Sequence, residues 1–378
     1  MRRIVLTALF LVCLTACGGG DETNAATTTL AEEVSLITTT QLEASLETPT
    51  TLVEQIVEAI PTTTTTVDLS WAGPVYPLTG LPAYEGIPET PAVVVKLGNN
   101  NQNSLPQYGL READIVYDMH IEGGKSRFMA IYHSRLPEIV MPIRSARSSD
   151  INLLLNLNHP VFAYWGSNDI VLSELQAAER VGGFDRRSAS SQGSQYFDRD
   201  SSRSIPANGK ANTEDLQGTA SNEAGTPLSI FEYGELTQNA VPAAGVQWEM
   251  AQRVVDYVWN SSLEQWVRYQ DGAPHLDENR APLTADNLLF LYVRYRISDA
   301  DPISPQAIST GAGDGWLLRD GTVTGVTWER SRSSNSWTII DDESGETVTL
   351  DVGTTWVTLA RPGEGSILSS AEAIELIG

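Results

Sequence analysis

Along residues 71–235, short runs of β-branched and aromatic residues alternate with segments whose apolar positions recur every three to four residues. Ala92 to Leu97, Asp114 to Ile121, Arg127 to His133 and Val161 to Trp165 have the length and composition of strands. Ser148 to Leu157 and Asn168 to Val181 carry helical spacing, the latter through Ile170, Leu172, Leu175, Ala178 and Val181. Ser148 and Asn168 are the expected N-caps, and Gly182-Gly183 ends the second helix. Such alternation predicts an α/β N-terminal domain.

From about residue 240 the pattern changes to strands alone. Arg253 to Trp259, Gln265 to Tyr269, Leu288 to Arg296, Gly315 to Leu318, Thr322 to Trp328, Trp337 to Ile340, Thr347 to Leu350 and Thr355 to Leu359 follow one another. Asp271-Gly272, Asp320-Gly321, Ser344-Gly345 and Val352-Gly353 separate them and suit tight hairpins. Residues 240–362 are therefore expected to form an antiparallel sandwich or barrel, giving a mainly antiparallel β C-terminal domain and an α+β protein overall. Gly311, Gly313 and Gly315 lack the strand-to-helix context of a phosphate loop and are expected in a turn. Ile367 to Ile377 could close the chain as a helix.

The N-terminus follows a different logic. After Met1-Arg2-Arg3, the apolar run Ile4 to Leu14 would extend only ~16 Å as a helix, short of the ~30 Å hydrocarbon core, so it reads as a signal-peptide centre. Leu14-Thr15-Ala16-Cys17 with Gly18-Gly19-Gly20 resembles the bacterial lipobox, which implies lipidation of Cys17; an ordinary signal peptide that happens to contain cysteines is the alternative. Two or three acyl chains, at about 0.8 kcal/mol per buried methylene, would anchor the chain stably on the extracytoplasmic face of the membrane. Residues 21–66 hold 15 threonines and no basic residue, the composition of a disordered stalk. Leu52, Val53, Ile56, Val57 and Ile60 interrupt it at helical spacing. The expected boundaries are a signal peptide at 1–17, an acidic stalk at 18–70, an α/β region at 71–235, a β-rich region at 236–362 and a tail at 363–378.

Charge narrows the partners. The 378 residues carry 24 basic and 48 acidic side chains, a net −24 that disfavours nucleic acid. More than half of the basic residues fall in 71–235, 13 against 19 acidic, whereas 236–378 holds nine against 20. The two cysteines, Cys13 and Cys17, both belong to the signal segment, which leaves no thiol for a disulfide, a nucleophile or a thiolate–metal site.

Several motifs together resemble the YerB-like lipoprotein family. They are Pro77-Leu78-Thr79-Gly80, Gly109 to Tyr117, Glu122 to Arg127, Pro142 to Arg147 and Arg199-Asp200 with Arg203, Pro206 and Asn208. Further along come Tyr269 to Asp277, Asn287 to Val293, Arg319-Asp320-Gly321, Trp328 and Gly353 to Trp356. The resemblance spans residues 75–362 and implies an N-terminal α/β region, a C-terminal β-rich region and a lipid anchor, with no known biochemical function. Family members tend to place histidines before a glycine-rich turn, where this chain reads Tyr164-Trp165-Gly166-Ser167, and before the asparagine, where it has Ala207. Any site those histidines formed is absent here, while the accompanying arginines remain.

The chemistry-bearing set is Arg127, Arg144, Ser145, Arg147, Arg199, Arg203 and Asn208. Guanidinium forks pair two-point with carboxylate or phosphate, and Ser145 and Ser148 add hydroxyls ahead of a predicted helix. These residues are expected to line a cleft for an anionic envelope ligand, or to dock a cell-wall assembly protein. In the structural alternative the arginines brace loops by pairing with Glu122, Asp150 and Asp200. The rival function is an enzyme on cell-wall polymers using Glu122, Asp150 or Asp200 as acid and base. His120, His133, His159 and His275 show no ligand spacing, and no cofactor or metal is expected. Most of the nine tryptophans lie at strand positions and read as core, with a sugar-stacking face as the alternative.

Overall fold

The computed structural model describes residues 71–236 and 239–377, so the expected signal peptide, lipidation site and stalk lie outside the described residues. The strands β1 (Val93–Gly98), β2 (Ile115–Ile121) and β3 (Lys125–Tyr132) open the chain, followed by helix α1 (Ser148–Leu154), β4 (Val161–Tyr164), helix α2 (Asp169–Arg180) and β5 (Asp185–Ser188). The later region supplies β6 (Gly245–Met250), β7 (Arg253–Asn260), β8 (Gln265–Gln270), β9 (Asn287–Tyr292), β10 (Gly311–Arg319), β11 (Thr322–Arg330), β12 (Thr338–Asp341), β13 (Thr355–Ala360) and β14 (Gly365–Leu368), and ends in helix α3 (Ser370–Ile377).

One 11-stranded sheet runs through both regions: ten strands in the order β12-β11-β10-β9-β13-β2-β3-β1-β4-β5, with the two-residue strand Val241–Pro242 pairing β11 off that path. Strand β13 joins them, because it pairs parallel with β9 on one side and with β2 on the other. Alternation sorts each strand between two cores. On one face Val94, Tyr117, Met129, Ile131, Val357 and Leu359 pack with Leu153, Leu154, Val171 and Leu175 of the helices. On the other, Val93, Val95, Phe128, Ala130 and Trp356 meet Trp248, Val255, Tyr257 and Trp266 of a six-stranded sheet built on β8-β7-β6-β14. That second sheet is antiparallel throughout, and α3 covers its outer side through Ala373, against Val258 and Leu368.

The positions of several elements correct the sequence reading. Arg147, not Ser148, is the N-cap of α1, and its amide donates to Asp150 Oδ2 at 2.7 Å. Helix α1 stops by Leu155, whereas Asn168 caps α2 as expected by accepting from the Val171 amide at 2.9 Å. The Gly311, Gly313 and Gly315 run is strand, not turn: a Cβ on Gly313 or Gly315 would lie 2.7 Å or 2.6 Å from the carbonyl oxygens of Tyr292 and Phe290 on the neighbouring strand. Leu288 to Arg296 breaks into two strands at Val293, and Thr347 to Leu350 makes only isolated bridges. Ile367 and Leu368 pair with β6 as strand, and the terminal helix begins at Ser370. Trp248, Trp266, Trp328, Trp337 and Trp356 are buried, as core residues.

Candidate functional site

Strands β1 and β4 run parallel, and the chain after Gly98 and after Tyr164 leaves from the same end of the sheet. In open α/β sheets that end is where ligands bind. Residues 142–146 thread across it: Gly98 N donates to Pro142 O, Arg144 N to Lys96 O, Trp165 N to Arg144 O and Ala146 N to Gly166 O, all within 2.8–2.9 Å. Gly209 O accepts from Ile143 N at 2.8 Å and so brings the 199–209 segment alongside. The hairpin between β2 and β3 turns at Gly123 and Gly124, whose φ values of 78° and 64° suit a type I′ turn. It delivers Arg127 to a position between Gly98 and Met119 in the sheet.

Arg127 is 2 % exposed, and its Nη1 donates to Ser145 O at 3.0 Å. Its Nε has no hydrogen-bond partner, and no carboxylate lies within ion-pair distance among the described residues. Burial, then repulsion from Arg147 and Arg144, pushes its pKa down to about 9, so the guanidinium is still charged at neutral pH. Arg144 is half-buried; its Nη1 donates to Pro206 O at 3.4 Å, and burial followed by Arg147 lowers its pKa. Gly98 makes room for it, since a Cβ there would lie 2.7 Å from Arg144 Cγ. Arg147 forks onto Glu122, with Nε 3.0 Å from Oε2 and Nη2 on Oε1.

The flanking arginines lean on aromatic rings instead of acids. The Arg199 guanidinium lies 4.3 Å from the Trp165 ring centre, and its Nη1 donates to Asn208 Oδ1 at 2.7 Å. Arg203 lies 5.0 Å from the Tyr108 ring, donates from Nη2 to Pro106 O at 2.9 Å and leaves Nη1 without a partner. Arg127, Arg144 and Arg147 thus converge, while Arg199, Arg203 and Asn208 sit on the adjoining segment that Arg144 touches. Ser145 contributes its carbonyl to Arg127. Ser148 Oγ is engaged with Glu174 Oε2 at 2.6 Å and Ser298 Oγ at 2.9 Å. Both departures from the family pattern abut the cluster, Trp165 beneath Arg199 and the buried Ala207 beside Asn208.

Of the three acids expected to brace the arginines, Glu122 alone does so. Asp150 instead pairs with Lys96 at 2.5 Å, both side chains wholly buried. Asp200 Oδ1 accepts from Ser202 N at 2.8 Å and Ser202 Oγ at 2.7 Å, closing its own turn. Lys96 was legible as a single charge inside the apolar run Ala92 to Leu97, because a lysine there demands a buried partner. Burial lowers its pKa against the opposing pull of Asp150.

Behind Arg127 lies a polar network that spacing did not reveal. Arg268 Nη2 meets Asp118 Oδ2 at 2.9 Å, with both side chains fully buried. Its Nη1 donates to Gln270 Oε1 at 2.9 Å and to His275 Nδ1. Because His275 Nδ1 accepts there, Nε2 carries the proton toward Gln107 Oε1 at 2.7 Å. Asn99 Nδ2 donates to Ser126 Oγ at 3.1 Å and Gln270 Oε1 at 2.9 Å, which ties the network to the strand ends beside Arg127. Two surface hollows of about 370 and 390 Å³ lie elsewhere, and none of the predicted site residues lines them.

These features define a class, the two-region α+β protein built on one mixed sheet with a basic end. Residues 78–226 match the N-terminal domain and residues 245–357 the C-terminal domain of a family described as a protein of unknown function, DUF3048. The chain belongs to that family. It is 26% identical over 314 residues to a protein of Bacillus subtilis (strain 168) named "Putative lipoprotein YerB", covering 79% of this chain and 89% of that one. The crystal structure of YerB from Bacillus subtilis matches the fold with a TM-score of 0.67 at 23% identity, over 79% of this chain and all of the other.

Proposed function

We propose that this is a lipid-anchored protein of the extracytoplasmic membrane face that binds an anionic envelope ligand through Arg127, Arg144 and Arg147, with Arg199, Arg203 and Asn208 at the rim. The observation that carries the reading is Arg127, a buried guanidinium with, among the described residues, no carboxylate within ion-pair distance and no partner for its Nε. A buried charge without a partner is costly, and a bound phosphate or carboxylate would supply both the charge and the acceptor. The three converging guanidiniums and Lys96 are set against Glu122 and Asp150, the latter paired with Lys96, so the cluster stays positive on a protein of net −24. The name of the relative and the Cys17 motif support the anchor, and among the described residues no helix is long and apolar enough to cross a membrane. Catalysis draws less support, since Glu122, Asp150 and Asp200 are each engaged in an ion pair or a turn.

The test is calorimetric titration of the full chain with polyol-phosphate wall fragments and with neutral glycan. The wild type should bind the anionic fragments, and Arg144→Ala should weaken binding about tenfold or more, as expected for a charge-assisted hydrogen bond. Unchanged affinity for every anionic fragment together with a large loss of stability would assign the arginines to loop bracing.

A further inference from the structure

One of the two surface hollows, of about 370 Å³, opens where β9 gives way to the strand Arg294–Ile297 and β10 begins. Its volume falls within the ~300–1,000 Å³ of small-ligand sites, and none of the arginine-cluster residues lines it. Tyr292, Arg294, Thr310 and Asp314 supply its polar groups, while Gly313 and Gly363 add no side chain and so leave it open. Trp328 forms part of the wall, fixed by its Nε1, which donates to Tyr292 O at 3.1 Å. The Tyr292 ring is partly exposed and is held at steep angles of 75° and 72° to Phe290 and Trp316, whose centres each lie 5.5 Å away.

Arg294 and Asp314 are both exposed, and neither side chain makes a hydrogen bond or ion pair among the described residues. A cation and an anion thus line one hollow without pairing with each other. Their formal charges cancel, so the hollow favours a ligand without net charge. Arg294 offers only donors, Asp314 only acceptors, and the hydroxyls of Thr310 and Tyr292 can act as either. A saccharide answers each feature: it is neutral, its hydroxyls donate and accept, and the C–H face of its ring packs on an aromatic side chain. A free amino acid would match the two charges alone, and at exposed positions solvent screens that attraction. We propose that this hollow binds a neutral saccharide, with one ring against Tyr292 and its hydroxyls shared among Arg294, Thr310 and Asp314. The site takes a different ligand from the arginine end and shares no residue with it, so the two stand or fall separately.

The experiment is calorimetric titration of the full chain with tetra-N-acetylchitotetraose, cellotetraose and glycine, the last as a bare zwitterion. The wild type should bind at least one of the oligosaccharides at millimolar concentration and should not bind glycine. Arg294→Ala and Asp314→Ala should each weaken saccharide binding about threefold to tenfold, as expected for the loss of a hydrogen bond. Their melting temperatures should match the wild type, because neither side chain has a partner to lose. Arg144→Ala should bind the oligosaccharide as the wild type does, and Asp314→Ala should bind polyol-phosphate fragments as the wild type does. Failure of either oligosaccharide to bind, wild-type saccharide affinity in both Arg294→Ala and Asp314→Ala, or binding of glycine in place of saccharide overturns the assignment.

Discussion

Removing Asp118 should unfasten the two sheets. Its carboxylate and the Arg268 guanidinium are wholly buried and 2.9 Å apart, and Arg268 is further enclosed by Phe128, Tyr257 and Trp356, whose ring centres lie 5.2, 5.7 and 5.3 Å from its guanidinium carbon. Asp118→Ala leaves that guanidinium with Gln270, His275 and Tyr257, none of them anionic. Breaking a buried pair from one side costs about 3–5 kcal/mol. Against a total stability of roughly 5–15 kcal/mol, that is a large share. At about 2 °C per kcal/mol, the lower end of the range for proteins of up to ~250 residues, Tm should fall by roughly 6–10 °C. The double variant Asp118→Leu with Arg268→Met removes both charges, and it should recover at least 1.5 kcal/mol relative to the sum of the single changes, on the order of coupling seen between contacting groups. Urea unfolding of the wild type, Asp118→Ala, the single variants Asp118→Leu and Arg268→Met, and the double variant measures this. An Asp118→Ala variant within about 1 kcal/mol of the wild type, or strictly additive single changes, would refute the assignment of this pair as the clamp between layers.

Three further outcomes follow from the same contacts. Burial, reinforced by Arg268 and Arg253, holds the His275 imidazole well below its usual 6.5. The unfolded chain therefore takes up a proton that the folded one refuses: the neutral histidine's contribution is fully present above about pH 6.5 and is lost as pH falls below it, at up to ~1.4 kcal/mol per pH unit. His275→Gln should flatten the wild-type stability profile between pH 6.5 and 5, and equal slopes in the two proteins would contradict the neutral state. Gly98→Ala should push Arg144 aside and weaken anion binding as Arg144→Ala does, at a stability cost of about 1–3 kcal/mol; retained affinity would mean that Arg144 does not lie over Gly98 when ligand binds. Gly209→Ala sets a Cβ 2.2 Å from Trp165 Cε3 and should displace the ring from Arg199, visible as a change in the Trp165 fluorescence component that Trp165→Phe deletes.

Local pattern carried much of this structure, and long-range pairing carried the rest. Strands β1, β2 and β3, α2 with its Asn168 cap and the hairpins at Asp271-Gly272 and Asp320-Gly321 were readable because period, caps and turn residues act within a few positions. The insertion of Thr355–Ala360 between Asn287–Tyr292 and Ile115–Ile121 was not, since its partners on β2 lie more than 200 residues away and leave no local trace. Gly313 and Gly315 of β10 were misread for a related reason: they are small because backbone on the next strand needs the space, which only the paired sheet reveals. In the candidate site, the guanidinium residues could be picked out by type and neighbours, but of their partners Glu122 alone. Asp150 satisfies Lys96, not an arginine, and Arg268 and His275, opposite each other in one hairpin, are drawn to Gln107 more than 150 residues earlier in the chain.

The most direct measurement is the Arg127 Nε–H resonance in a ¹H–¹⁵N spectrum of the full chain, assigned by its disappearance in Arg127→Lys and followed as polyol-phosphate fragments are added. If this guanidinium waits for an anion, the resonance moves saturably with the charged fragments, tracks the calorimetric curve and ignores neutral glycan. A signal that stays fixed while other arginine resonances shift would place the binding elsewhere and leave Arg127 a structural residue.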